Sequence, residues 1–296
     1  MLVSKLVYCS NLDFIREIQD LRLVLKKKDI KIGIVESVEY NNHIIKILCD
    51  DNSYNERVKD IVNLYISNIL YRIVLYEYKT KEMFDYLTEN YFFLKQEEII
   101  QVEEEIMNIL LENKSINFDN LIYCLNKINN IIEKIKSCLE ENSEINIDGF
   151  IRFRMKELRE DIESIIDKVV ESYMVEKEYK EFIKLLKYFV DIQESKLEEV
   201  NIIISESGTY SITDKDNKDI FSEFMKELIE CKLDSDVKME DVIISGLITN
   251  APKKVIIHGK NNCLNKEFLD TIEKVFENNV VFCEDCLLCT EKTMKL

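Results

Sequence analysis

Ile151, Met155, Leu158, Ile162, Ile165, Val169 and Tyr173 follow one another in steps of three and four, the spacing that gathers apolar side chains on one face of an α-helix. After a gap near residues 175–178 the step returns at Tyr179, Phe182, Leu186, Phe189 and Val190. No other stretch of the chain is as strongly periodic, and it commits the middle of the molecule to helix. Two packed helices are expected, because two short runs fall short of the sustained repeat that a coiled coil demands.

The flanks read differently. Residues 2–9 suit a strand and residues 12–28 an amphipathic helix carrying Phe14, Ile15, Ile18, Leu21 and Leu25. Residues 30–40 and 43–49 are rich in β-branched side chains and flank Asn41-Asn42, a hairpin turn signal. A long helix over about 56–91 completes a βαββα unit. Helices are expected over 97–111 and, capped by Asp119, over a run that includes Leu121, Leu125, Ile128, Ile132, Ile135 and Leu139. From Val200 the pattern changes. Residues 201–205 and 209–213 flank Ser207-Gly208, a second hairpin signal, and helices follow at about 220–231 and 239–249. Pro252 stops the second of these. Residues 254–258 then read as a buried strand closed by Gly259, residues 264–278 as a helix and residues 280–282 as a strand. The fold class is therefore α+β and mainly helical. Three domains are expected: an N-terminal α/β unit over 1–93, a helical middle over 94–199, and a C-terminal α/β unit over 200–296 with a hairpin and a βαβ element.

The chain has 296 residues, 46% of them hydrophobic, and a net charge of −17. That is ample for a core, and it excludes disorder, a disulfide-held miniprotein and a basic nucleic-acid binder. One Ala, one Pro and five Gly point to an AT-rich coding sequence, so the scarcity of helix breakers is weak support for helix. Residues 61–76 are the most apolar, yet Asn63, Ser67, Asn68 and Arg72 interrupt them, whereas a membrane span wants about 20 nearly uncharged residues. No secretory leader pattern opens the chain. The expectation is a soluble, cytoplasmic protein.

In that reducing compartment nine cysteines are not disulfides. Six of them (9, 49, 124, 138, 231 and 263) lie in apolar patterns and read as small core residues. The other three form Cys283-Glu-Asp-Cys286-Leu-Leu-Cys289, a spacing with which one turn can aim successive sulfurs at a metal. His258 or Cys263 offers a fourth ligand, and a thiolate–imidazole set favours zinc. If the strand ending at His258 pairs in parallel with the strand over 280–282, His258 and Cys283 fall side by side. Reduced thiols without metal, and redox chemistry, remain alternatives. So does a thiol enzyme pairing Cys263 or Cys283 with His258.

Elsewhere little chemistry assembles. The five glycines never cluster, which excludes phosphate loops and nucleophile elbows. The segment over 214–219 has the acidic spacing of a calcium loop but lacks its glycine and closing glutamate. Arg152, Arg154, Lys156 and Arg159 form the densest basic stretch, a candidate partner-binding face; the acidic residues that follow make a solvated, ion-paired face the simpler reading.

Asp148-Gly-Phe-Ile-Arg-Phe-Arg154, the segment from Glu176 through Val190 with Gln193, and Glu240-Asp-Val-Ile-Ile-Ser-Gly-Leu-Ile-Thr-Asn-Ala-Pro252 followed by Val255-Ile-Ile-His258 resemble the YtxC-type sporulation proteins. The terminal cysteine spacing is similar too. The resemblance covers about residues 145–289. It implies a cytoplasmic protein connected with sporulation and carries no biochemical activity, cofactor or catalytic residue. The expected function is that of a non-enzymatic interaction or structural protein with a protein partner, the alternative a zinc-binding module.

Overall fold

The computed structural model describes residues 1–9, 14–112, 118–224, 238–283, 286 and 289. The chain divides into two compact units, Met1–Val175 and Glu176–Leu296. In the first, β1 (Leu2–Tyr8), α1 (Ile15–Lys26), β2 (Ile32–Glu39), β3 (Asn42–Cys49) and α2 (Glu56–Tyr78) give the βαββα order. A π turn, Lys79–Met83, carries α2 into α3 (Phe84–Asn90). Then come α4 (Gln96–Glu112), α5 (Phe118–Glu141), β4 (Glu144–Asn146) and α6 (Ile147–Ile192).

The hairpin turns one residue earlier than expected. Tyr40 and Asn41 take φ of 49° and 69°, and Glu39 pairs with Asn42. A two-residue turn between twisted strands needs both central residues at positive φ. β4 has no sequence signature, being too short for an alternating pattern. It exists because the edge of β1 lies open to it, Leu6 pairing in parallel with Ile145, and it completes a sheet of order β2-β3-β1-β4. α5 begins at Phe118, so Asp119 lies inside the helix rather than capping it.

Two further expectations are corrected. α6 is one helix of 46 residues, not two. The gap in its apolar pattern is a gap in burial: no residue from Glu171 to Phe182 is fully buried, and with neither Gly nor Pro there the backbone continues through the wet stretch. Nor does the helical middle stand apart from the N-terminal unit. Leu6 and Ile45 of the sheet, Val62 and Leu70 of α2, Ile106 of α4, Ile131 of α5 and Ile162 of α6 belong to one core. The three expected domains are thus two units, and the second begins inside α6. Of the scattered cysteines, Cys49 and Cys124 are buried as expected. Cys9 is exposed, its thiol donating to Asn42 Oδ1 at 2.6 Å. Cys231 lies outside the described residues.

Inside this unit Asp161 of α6 accepts from Lys127 Nζ at 2.9 Å and Lys134 Nζ at 2.5 Å, both from α5. Burial raises its carboxyl, but the two ammonium groups outweigh that and hold it below the usual carboxylate range. A depressed pKa stabilises the fold at every pH above the unfolded value, and the gain is lost as pH falls through the folded one. Asp161→Asn is expected to cost about 2 kcal/mol near neutrality. The difference from the parent should shrink only as pH falls through that depressed folded value, where the parent carboxyl also becomes neutral. Urea unfolding of both chains across that range measures it.

The second unit holds the end of α6, then β5 (Val200–Ile204), β6 (Tyr210–Asp214), α7 (Met239–Asn250), β7 (Val255–His258), α8 (Lys266–Phe276) and β8 (Val280–Cys283). The helix expected over 220–231 is described only to Phe224. The sheet runs β6-β5-β7-β8. β5 and β6 form the antiparallel hairpin, while β5, β7 and β8 are parallel. Ala251 ends α7 in the left-handed region at φ 41°, and Pro252 prevents the helix from resuming. Ile202, Ile257, Val242, Leu247, Phe268 and Ile272 meet in a second core. Parallel strands covered by helices bury both faces, and all five residues of β5 are buried, Asn201 among them.

Candidate metal centre

In the parallel register of β7 and β8, His258 sits opposite Cys283, as the two strand-end positions suggested. Gly259, at φ 70°, turns the chain away directly after His258. Beyond β8, Cys286 and Cys289 are tied by a backbone turn, the Cys289 N–H donating to the Cys286 carbonyl at 3.0 Å. The result is a cluster of four donors. His258 Nδ1 lies 3.2 Å from Cys286 Sγ and 3.5 Å from Cys289 Sγ. Cys289 Sγ lies 3.6 Å from Cys286 Sγ and 3.8 Å from Cys283 Sγ. All four donor atoms fall within 4.8 Å of one another.

The other edge of the imidazole decides its tautomer. His258 Nε2 lies 3.1 Å from Asn201 Oδ1 on β5. Asn201 is oriented by its own amide, Nδ2 donating to the Asp214 carbonyl at 3.3 Å and to Glu199 Oε1 at 3.5 Å. Its oxygen therefore faces the ring, Nε2 carries the proton, and the Nδ1 lone pair points at the sulfurs. Burial holds His258 below the ordinary imidazole value against a smaller opposite pull from Glu199, so the ring is neutral. Cys283 is pushed up to about 12 by its hydrogen bond with Cys286, by burial and by Cys289. Cys283 thus resists ionising beside the other sulfurs unless a cation joins them.

Asn201 had no place in the sequence-based expectations, although an amide inside Val200-Asn-Ile-Ile-Ile204, an otherwise apolar strand, is a visible anomaly. Ligand orientation by such a partner typically accounts for about 10–100-fold in metal affinity. Asn201→Ala is expected to weaken metal binding by a factor in that range while leaving one site per chain, as competition against a chromogenic chelator reads out.

Cys263 is not brought to the cluster. Its thiol donates to the Asn265 carbonyl at 3.1 Å and meets Tyr210 Oη at 3.6 Å. The basic quartet stands in the first unit and is divided. Arg154 pairs with Glu157 at 2.7 Å and Arg159 with Glu82 at 2.7 Å. Arg152, Lys156 and Arg159 line a cleft of about 740 Å³ that also takes in Glu77, Glu82 and Asp148. The 214–219 segment is a tight turn, Asp214 Oδ1 accepting from the backbone N–H groups of Asp216 and Lys218. No helix among the described residues is long and apolar enough to cross a membrane.

The uncharacterized protein YtxC of Bacillus subtilis (strain 168) is 22% identical over 225 residues, covering 74% of this chain and 76% of that protein. No solved structure gives a significant match. The profile of the YtxC-like family matches residues 64–281. It therefore starts in α2, well before the resemblance read near residue 145, and includes His258 but ends ahead of the three cysteines. With most of its length matched in this way, the chain belongs to the YtxC-like family.

Proposed function

We propose that this is a zinc-binding, non-catalytic protein whose ion, held by Cys283, Cys286, Cys289 and His258, ties Cys286 and Cys289 to the C-terminal ends of strands β7 and β8. The observation that carries the reading is the spacing of the four donors. With Zn–S near 2.3 Å and Zn–N near 2.05 Å, a tetrahedron has edges of about 3.8 Å between sulfurs and about 3.6 Å from sulfur to nitrogen. Four of the six donor pairs lie 3.2 to 3.8 Å apart, and all six lie within 4.8 Å. The donor chemistry agrees, since three thiolates and one imidazole form a closed structural set with no position left for substrate.

A nucleophilic role for the same thiols is disfavoured by the same surroundings. A reactive cysteine needs its pKa lowered, and that of Cys283 is raised. His258 is 3% exposed, and its proton-bearing nitrogen is engaged by Asn201. The protein thus acts through its surfaces, as an interaction or structural component in the cytoplasm, and the sporulation setting suggested by the sequence resemblance is part of this proposal.

Elemental analysis of protein purified without chelator is the test. About one zinc per chain is expected, falling below a tenth of an equivalent in a Cys286→Ser, Cys289→Ser double variant. Metal-free parent protein that takes up no zinc on titration would end the reading.

A further inference from the structure

Residues 176–192 of α6 seat Tyr179, Ile183, Leu186 and Val190 on the core of the second unit. The apolar arc of the helix is wider than that seat. Phe182, Leu185, Phe189 and Ile192 advance by three, four and three, and they remain 49%, 51%, 40% and 59% exposed. This is the a/d step of a helix prepared for another helix. Large apolar side chains left in water at that spacing are seldom a surface accident.

A groove of about 600 Å³ takes in Phe182 from the stripe and Leu186 from the seat, and Ile244, Ile248 and Phe268 also line it. Glu240, Asp241 and Glu267 stand among its lining residues, which include no Lys or Arg. These carboxylates occupy the first turns of α7 and α8, where the helix dipole favours them. They nonetheless open on one apolar trough. An apolar floor with a single-sign rim selects its occupant by charge as well as by shape.

We propose that this face docks an amphipathic α-helix of a partner protein, apolar along one stripe and flanked by Lys or Arg. The helical form follows from the a/d step, which meshes with side chains of the same period. The basic flanks follow from the rim. A second copy of the chain fits less well, because it would bring the same carboxylates against their own kind. The inference is independent of the metal centre.

The probe is a labelled Leu/Lys peptide of about 18 residues, five helical turns, patterned at 3.6 residues per turn. Two controls accompany it: a scrambled Leu/Lys peptide of the same composition, and a Leu/Glu peptide of the same pattern. Fluorescence anisotropy with the full chain is expected to show binding of the first, at least about tenfold weaker binding of the scramble, and none of the acidic peptide. A Phe182→Ser, Leu185→Ser variant has the same charge and alters only exposed side chains. It should lose about tenfold in affinity. Asp241→Asn with Glu267→Gln should weaken binding and flatten its dependence on salt. Equal binding of the scramble, or an unchanged affinity in the serine variant, would reduce the effect to net charge and overturn the proposal. So would a dimer in sedimentation that the serine variant abolishes, since the occupant would then be a second copy.

Discussion

Stripping zinc with a chelator is expected to lower the melting temperature of the second unit by about 15 °C. The size follows from linkage: a ligand held at a thousand times its Kd stabilises the folded state by about 4 kcal/mol. For a unit of this length about 1 kcal/mol moves the midpoint by some 4 °C. The effect is bounded because the unit does not rest on metal alone. Val200, Ile202, Ile257, Phe268 and Ile272 are buried whether or not the sulfurs are joined, unlike a zinc finger, which lacks such a core. Unfolding should therefore remain cooperative without zinc but occur earlier, and zinc added back should restore the midpoint. Calorimetry with and without chelator checks this, and a midpoint indifferent to both treatments would contradict it. The first unit contributes none of the four donors, so its transition is expected to stay where it was.

Gly259→Ala is expected to destabilise the second unit by about 3 kcal/mol or more. Two costs combine. The residue sits at φ 70°, where an L side chain costs about 1–2 kcal/mol. A Cβ there would also lie 2.3 Å from the Ile204 carbonyl oxygen. That oxygen belongs to β5, which is locked between β6 and β7 and cannot retreat as a flexible side chain would. Gly208→Ala separates the two costs. Its φ is 77°, yet its nearest neighbour would be Leu264 Cδ1 at 3.9 Å, so only the backbone strain of about 1–2 kcal/mol applies. Because Gly259 follows His258 directly, its alanine variant should also lose zinc affinity, whereas the Gly208 variant should keep it. Denaturant midpoints and zinc titrations of the pair measure both effects.

Much of the architecture is legible in the chain because burial leaves a period. The 151–173 run marks the buried face of α6, and the β-branched runs mark β2, β3 and β7. The errors share a cause. The gap in apolar residues near Val175 suggests a break in the helix, but periodicity reports what a helix packs against rather than whether its backbone continues. A separate helical domain was expected for the same reason, since an apolar face says that something covers it and not what. β4 left no trace, because three residues carry no pattern and its hydrogen bonds come from β1.

The proposed metal centre shows the same division. The spacing of Cys283, Cys286 and Cys289 and the placing of His258 at a strand end are properties of the sequence, fixed by turn length and by the alternation of apolar runs with Gly259. The choice between His258 and Cys263 was not, and neither was the part of Asn201. Those depend on which strands lie side by side and in which register, a long-range decision made by the packing of α7 and α8 on the sheet. Local chemistry offered five candidate ligands; only the parallel pairing of β7 with β8 puts one imidazole edge among three sulfurs and leaves Cys263 bonded elsewhere.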